Sequence, residues 1–152
     1  MSEMPKVGDK APGFEAETYG GEKIKLSDYE GKGTVALYFY PKDNTPGCTK
    51  EACSMREATD ELQQLNVQVL GVSTDGVKSH ESFRNKFDLN FPLLSDRGKE
   101  IITAYGVESD YGSARRITFL IDKAGVIRHI WMKVKTASHS EEVLEKVKEL
   151  GL

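Results

Sequence analysis

Residues 34–53 read Thr34-Val35-Ala36-Leu37-Tyr38-Phe39-Tyr40-Pro41-Lys42-Asp43-Asn44-Thr45-Pro46-Gly47-Cys48-Thr49-Lys50-Glu51-Ala52-Cys53. The change of character halfway along decides the architecture. The first half is β-branched and aromatic, the composition of a buried strand. Pro41 cannot donate to a sheet ladder, so the strand is expected to stop there. A short loop follows, and Thr45-Pro46 fits an N-cap followed by the first helical position. The spacing predicts a helix from there to about residue 65. Cys48 then falls in the first turn, among backbone N–H groups that have no intrahelical partner.

The positive end of a helix favours an anion, so this address favours a thiolate, and the thiolate is the nucleophilic form. Thr45 is close enough in sequence to turn its hydroxyl toward the same sulfur. Taken alone, Cys48 reads equally well as a small apolar filler between helix and sheet. Cys53 changes the balance, because both cysteines of the chain lie in this one segment. Five helical residues turn through about 500°, which leaves the two side chains about 140° apart. Their Cα atoms would be about 8 to 9 Å apart, too far for a disulfide in an intact helix. Cys48, Ala52, Met55, Thr59 and Leu62 form the mostly apolar stripe, and Cys53 falls toward the wet side with Arg56, Glu57, Asp60 and Gln64. A bond between the two sulfurs therefore requires the first turns of the helix to unwind.

Working outward, residues 67–73 form a second buried strand, and strand–helix–strand gives a right-handed βαβ unit. Toward the N-terminus, 14–18 and 22–26 flank Tyr19-Gly20-Gly21, a hairpin pattern, with a short turn capped by Ser27 and Asp28. Residues 1–6 read as a loose terminus. Past the second strand, a helix is expected over 78–87. Residues 90–94, broken by Pro92, suggest a brief edge strand. A short helix over 99–105 is closed by Gly106. Strands over 117–121 and 126–132 meet at Asp122-Lys123-Ala124-Gly125, a hairpin signal. The last helix runs over 140–150, with Glu141 and Glu142 at its start and Lys146 and Lys148 near its end. Elements alternating in this way around a mixed sheet imply an α/β protein of three layers.

Size and composition narrow the function. A chain of 152 residues is expected to be a single domain, residues 1–152, burying roughly 68–70% of its unfolded surface. Apolar residues at 38%, charged residues at 30% and a net charge of −3 give no electrostatic case for nucleic acid or anionic membrane partners. No apolar run is long enough to span a bilayer, and the polar first residues are unlike a signal peptide. The cytoplasm is the expected location, where a cysteine pair is more often catalytic than a permanent staple. Two cysteines do not complete a zinc site, and His80, His129 and His139 lack finger-like spacing. The histidines read as surface or strand-flanking residues, and Trp131 as a packing residue. Glu51 reads as an exposed first-turn acid that gains from the helix dipole alone.

Pro41-x-x-x-Thr45-x-x-Cys48 resembles the active-site signature of the peroxiredoxins. The longer run through Phe39-Tyr40-Pro41-Lys42-Asp43, Thr45-Pro46-Gly47-Cys48-Thr49 and Glu51-Ala52-Cys53 is similar to the Q type, also called the bacterioferritin-comigratory-protein type. The similarity extends over nearly the whole chain, through Ala11-Pro12-Gly13-Phe14, Leu26-Ser27-Asp28, Gly31-Lys32 and Arg116-Ile117-Thr118-Phe119-Leu120-Ile121-Asp122. The resemblance implies a thioredoxin-like three-layer fold with a mixed central sheet. It implies a peroxidase for hydrogen peroxide and organic hydroperoxides that needs neither metal nor organic cofactor.

By the same resemblance, Cys48 is the peroxidatic nucleophile, and Thr45 hydrogen-bonds sulfur and substrate. Arg116 supplies a fixed positive charge, Pro41 packs over the site, and the N–H groups of Gly47 and Cys48 are oxyanion donors. Cys53 is the resolving thiol, giving an intramolecular disulfide that thioredoxin or a similar dithiol reduces. With no cysteine near the C-terminus, a monomer is expected rather than a dimer that resolves between subunits. Arg116 is chosen over Arg115 because it directly precedes Ile117-Thr118-Phe119, and neighbours on a strand face opposite ways. One departure is the short stretch 105–114 ahead of the arginine, which leaves the preferred hydroperoxide and the oligomeric state open. Two other classes share these residues. A disulfide oxidoreductase normally has its cysteines closer together, and a redox-sensing binding protein would react once rather than turn over.

Overall fold

The strand β3 (Thr34–Phe39) is buried at every residue and occupies the middle of the molecule. The computed structural model describes residues 3–152 and arranges seven strands in one sheet, in the order β2-β1-β5-β4-β3-β6-β7. β3 leads through α1 (Pro46–Gln64) into β4 (Val67–Ser73), which returns parallel beside it, Thr34 opposite Val67 and Phe39 opposite Val72. On its other side lies β6 (Ile117–Ile121), antiparallel, with Phe39 opposite Ile117. β7 (Ile127–Trp131) closes that edge through the expected hairpin. The N-terminal hairpin of β1 (Glu15–Glu17) and β2 (Lys23–Lys25) forms the opposite edge.

Both faces of the sheet are covered, as a central strand buried throughout requires. One face carries α1, α2 (Val77–Phe87) and α4 (His139–Leu150), packing Met55, Leu62, Phe83 and Val143 onto Ala36, Tyr38 and Leu120. The other carries α3 (Glu100–Ala104) and the 3-10 turn Leu26–Tyr29, which enclose Leu37, Phe39, Tyr105 and Phe119. The α/β, three-layer, mixed-sheet expectation and the N-terminal hairpin are therefore met. Gly71 helps to set the layer under the site. It lies opposite Tyr38, and a Cβ there would come within 2.9 Å of Tyr38 Cζ and of Leu93 Cδ2.

Two expectations are corrected. Residues 90–94 do not form an edge strand. β5 (Leu93–Ser95) lies inside the sheet, parallel to β4 on one side and bridged to β1 on the other. Pro92 precedes the ladder, where a missing N–H costs nothing, and its carbonyl accepts the Gly71 N–H. The loose terminus is not loose from residue 3 onward. Met4 packs against the core, and the backbone of Glu3 and Met4 crosses so close to Gly106 (φ 64°) that a Cβ there would meet Met4 N at 2.7 Å. Met1 and Ser2 lie outside the described residues.

Candidate active site

The carboxyl ends of the parallel strands β3, β4 and β5 gather the polar residues, the usual place for a site in an open α/β sheet. β3 ends, Pro41 turns the chain away, and Asn44 takes a left-handed backbone (φ 58°). That turn delivers Thr45 as N-cap and Pro46 as the first residue of α1. Cys48 therefore sits in the first turn with 1% exposure. The N–H groups of Gly47 and Cys48 precede the first intrahelical donor, the Thr49 N–H bonded to the Thr45 carbonyl at 2.8 Å, and have no carbonyl within the helix.

From the neighbouring strand, Arg116 reaches across and donates from Nη2 to Cys48 Sγ at 3.3 Å and from Nη1 to Glu51 Oε1 at 2.7 Å. Of the two neighbouring arginines, Arg115 is exposed and Arg116 turns inward. Gly47 makes this approach possible, because a Cβ there would lie 3.0 Å from Arg116 Nη2. Burial pulls the Arg116 pKa down, yet the Glu51 carboxylate and the Cys48 sulfur hold it above the ordinary arginine value. Arg116 is thus a fixed cation beside the sulfur.

Glu51 departs from the expectation. It is not an exposed acid but has 0% exposure, facing inward one turn after Cys48. Burial raises its pKa from 4.5 to about 7, with Arg116 opposing the rise and Glu142 adding to it. The apolar stripe was legible, but a charged residue within it can be anticipated only by knowing that Arg116 waits on the other side. Its second oxygen, Oε2, is buried with no hydrogen-bond partner among the described residues.

Thr45 is placed as expected, but its hydroxyl proton is committed elsewhere. It donates to the Lys42 carbonyl at 2.8 Å and makes no side-chain cap to the helix. Oγ1 keeps its lone pairs, so it can accept a hydrogen bond from an incoming O–H rather than donate to the sulfur. Pro41 is half-buried at the mouth. Cys53 is half-buried where Cys48 is buried; both are free thiols, and both belong to the unbroken α1.

The histidine expectation is overturned at two of three positions. His80 and His139 are fully buried, and only His129 is partly exposed on β7. His139 lies behind Arg116. Its Nδ1 donates to Glu142 Oε1 at 3.0 Å, and its Nε2 accepts from the Thr118 hydroxyl at 2.8 Å. Burial lowers its pKa despite Glu142, and the charge on Arg116 lowers it further. Trp131 packs edge-on against both His129 and His139.

A buried cysteine at the start of the helix after a central parallel strand, faced by an arginine from an antiparallel neighbour, defines a thioredoxin-like thiol protein. The AhpC/TSA family model matches residues 7–130, and the chain belongs to that family as a Q-type, bacterioferritin-comigratory-protein-like peroxiredoxin. It is 48% identical to a putative peroxiredoxin bcp of Coxiella burnetii over 149 residues, covering 93% of this chain and 98% of that protein. It is 41% identical to peroxiredoxin Bcp of Bacillus subtilis, covering 96% and 97%. Among solved structures, a cysteine-to-serine mutant of PrxQ from Xylella fastidiosa superimposes with a TM-score of 0.91 at 37% identity over 100% of both chains. The bacterioferritin comigratory protein of Xanthomonas campestris, studied for alkyl peroxide reduction, gives 0.85 at 34% identity, covering 91% and 92%. Among the described residues, no helix is long and apolar enough to cross a membrane.

Proposed function

We propose that this protein is a thiol peroxidase that reduces hydrogen peroxide and small organic hydroperoxides. The observation that carries the reading is the contact of Arg116 Nη2 with Cys48 Sγ at 3.3 Å, at the unpaired N-terminal end of α1. The Cys48 thiolate attacks one peroxide oxygen in line, and the O–O bond breaks. The other oxygen leaves as hydroxide or alkoxide and takes up a proton, while Cys48 becomes a sulfenic acid. Arg116 and the N–H groups of Gly47 and Cys48 stabilise the charge that builds on the oxygens. Thr45 Oγ1 accepts a hydrogen bond from the peroxide O–H and fixes its orientation, and Pro41 limits water at the sulfur. None of these steps calls for a metal or an organic cofactor.

The cycle closes within the chain. The Cys53 sulfur attacks the sulfenic acid, water leaves, and a Cys48–Cys53 disulfide forms. The helical spacing of about 8 to 9 Å exceeds disulfide reach, so α1 must unwind locally at this step. Thioredoxin or a similar dithiol then restores both thiols by exchange. Because both sulfurs belong to one domain, a monomer suffices, and the reducing cytoplasm suits the cycle.

Cys48→Ser tests the assignment. It should abolish consumption of hydrogen peroxide and of a small alkyl hydroperoxide in the presence of a thioredoxin system, and substantial residual turnover would refute the role of Cys48.

A further inference from the structure

Asp43 is an acid on the loop that delivers Cys48, yet it is 6% exposed while its neighbours Lys42 and Asn44 lie in water. Its carboxylate is fully engaged. Oδ1 accepts the Tyr40 hydroxyl at 2.6 Å, and Oδ2 accepts the Ser79 hydroxyl at 2.8 Å. Oδ2 also faces His80 Nδ1 at 2.7 Å, with His80 at 0% exposure. The other ring nitrogen, Nε2, lies 3.0 Å from the Leu94 carbonyl. A carbonyl can only accept, so Nε2 carries a hydrogen, and a further proton is held between Nδ1 and Oδ2, away from solvent. The backbone is held as well. The Asp43 N–H donates to Asp75 Oδ2 at 2.8 Å, which also accepts the Ser73 hydroxyl at 2.7 Å.

We propose that the Asp43–His80 pair is the positioning unit of the peroxide site, clamping the loop 41–45 onto the first turn of α2 so that Thr45 is presented to the substrate. Asp43 lies inside the turn closed by the bond from the Thr45 hydroxyl to the Lys42 carbonyl. Fixing it fixes both ends of that bond and so the direction of the Thr45 lone pairs. The strained Asn44 follows directly, and Lys86 of α2 reaches its Oδ1 at 3.4 Å, so α2 grips two successive loop residues. Burying an acid is costly unless it is fully hydrogen-bonded, and a loop with no positional duty would leave it in water. Asp43, Asp75 and His80 also bring three ligand atoms within 4.8 Å of one another. Their oxygens are already met by inward-pointing hydrogens of Tyr40, Ser79, Ser73 and the Asp43 N–H, which favours a proton network over a cation site.

The test separates alignment of peroxide from general damage to the thiol. Asp43→Asn and His80→Gln are compared with wild type in two reactions of the reduced protein: oxidation of Cys48 by hydrogen peroxide in stopped flow, and alkylation of Cys48 by iodoacetamide. Alkylation needs the thiolate but not the Thr45 acceptor. The peroxide rate constant should fall about tenfold to a hundredfold, with the alkylation rate little changed. Should either variant fail to fold, Ser79→Ala and Tyr40→Phe each remove one hydrogen bond to Asp43 and should lower the ratio of peroxide to alkylation rates to a smaller degree. An unchanged ratio in the folded variants, or a parallel loss in both reactions, overturns the proposal.

Discussion

The guanidinium of Arg116 holds Glu51 by a 2.7 Å bond with one arm and Cys48 by a 3.3 Å contact with the other, so a buried acid sets the position of the cation that serves the sulfur. The Arg116 side chain is 24% exposed and that of Glu51 is 0% exposed. Removing one partner of such a pair leaves an uncompensated charge, which is the costly way to break it.

Arg116→Ala removes the cation and one sulfur-facing donor. Oxidation of Cys48 by hydrogen peroxide should slow by roughly 10²–10³, the scale for loss of a donor aimed at developing charge. Arg115→Ala should leave the rate unchanged, because that side chain points to solvent. A stopped-flow series on both variants checks the register as well as the role. If Arg115→Ala were the slow variant, the assignment of β6 would be wrong.

Glu51 makes stability depend on pH in a defined direction. Its folded pKa of about 7 lies above the ordinary value of 4.5. The folded state therefore binds the proton more tightly than the unfolded state does. The stabilisation is complete below about 4.5 and is lost as pH rises to about 7. Glu51→Gln has no such titration. The stability of wild type relative to this variant should fall by on the order of 3 kcal/mol across that window and level off above it. Urea unfolding of the two reduced proteins at several pH values measures the difference. A constant difference would mean that Glu51 ionises in the fold as it does in water.

Much of this was readable in the chain, and the omissions have physical causes. The step from Tyr40 to Pro41 and the pairing of Thr45 with Pro46 are local signals, and they placed β3, α1 and Cys48 correctly. The inward turn of Arg116 followed from strand alternation once the motif had fixed the register. Glu51 and His80 were misread because composition assigns acids and histidines to water, while their burial depends on Arg116 and Asp43, each distant along the chain. The direction of the Thr45 hydroxyl escapes the sequence for a related reason: its acceptor, the Lys42 carbonyl, is met across a turn that holds Asn44 at φ 58°. The segment of β5 reads as an edge strand because three residues beside a proline carry too little pattern, and the neighbours β4 and β1 on its two sides supply what the segment lacks.

Cys53 lies next to a second fastening of α1. The Ser54 hydroxyl donates to Ser140 Oγ at 2.8 Å, and the Ser140 N–H donates back to Ser54 Oγ at 3.1 Å. This tie to α4 holds the helix just past Cys53, so the unwinding needed for the disulfide is confined to the turns before it. Cys53→Ser should still form one sulfenic acid per chain, but turnover with thioredoxin should drop by at least about tenfold, since an intramolecular attack is replaced by an intermolecular one. Intact mass after one equivalent of peroxide, together with a coupled turnover assay, checks both parts. Unchanged turnover would remove the resolving role.

Gly47 gives the sharpest separation of function from fold. It sits between Pro46 and Cys48 in the first turn of α1, where its backbone is helical and alanine is conformationally welcome. The Cβ of Gly47→Ala would come 3.0 Å from Arg116 Nη2, 3.6 Å from Cζ and 4.0 Å from Thr136 Cγ2. The guanidinium is the far end of a flexible chain, so it moves aside at little cost, and stability should change by less than about 1 kcal/mol. The move draws Nη2 away from Cys48 Sγ and from the oxygens on which charge develops in the transition state, where a displaced donor costs more than it does in the resting enzyme. Cys48 oxidation should slow roughly tenfold to a hundredfold. Equal rates in Gly47→Ala and wild type would show that the sulfur reacts without its contact to Arg116.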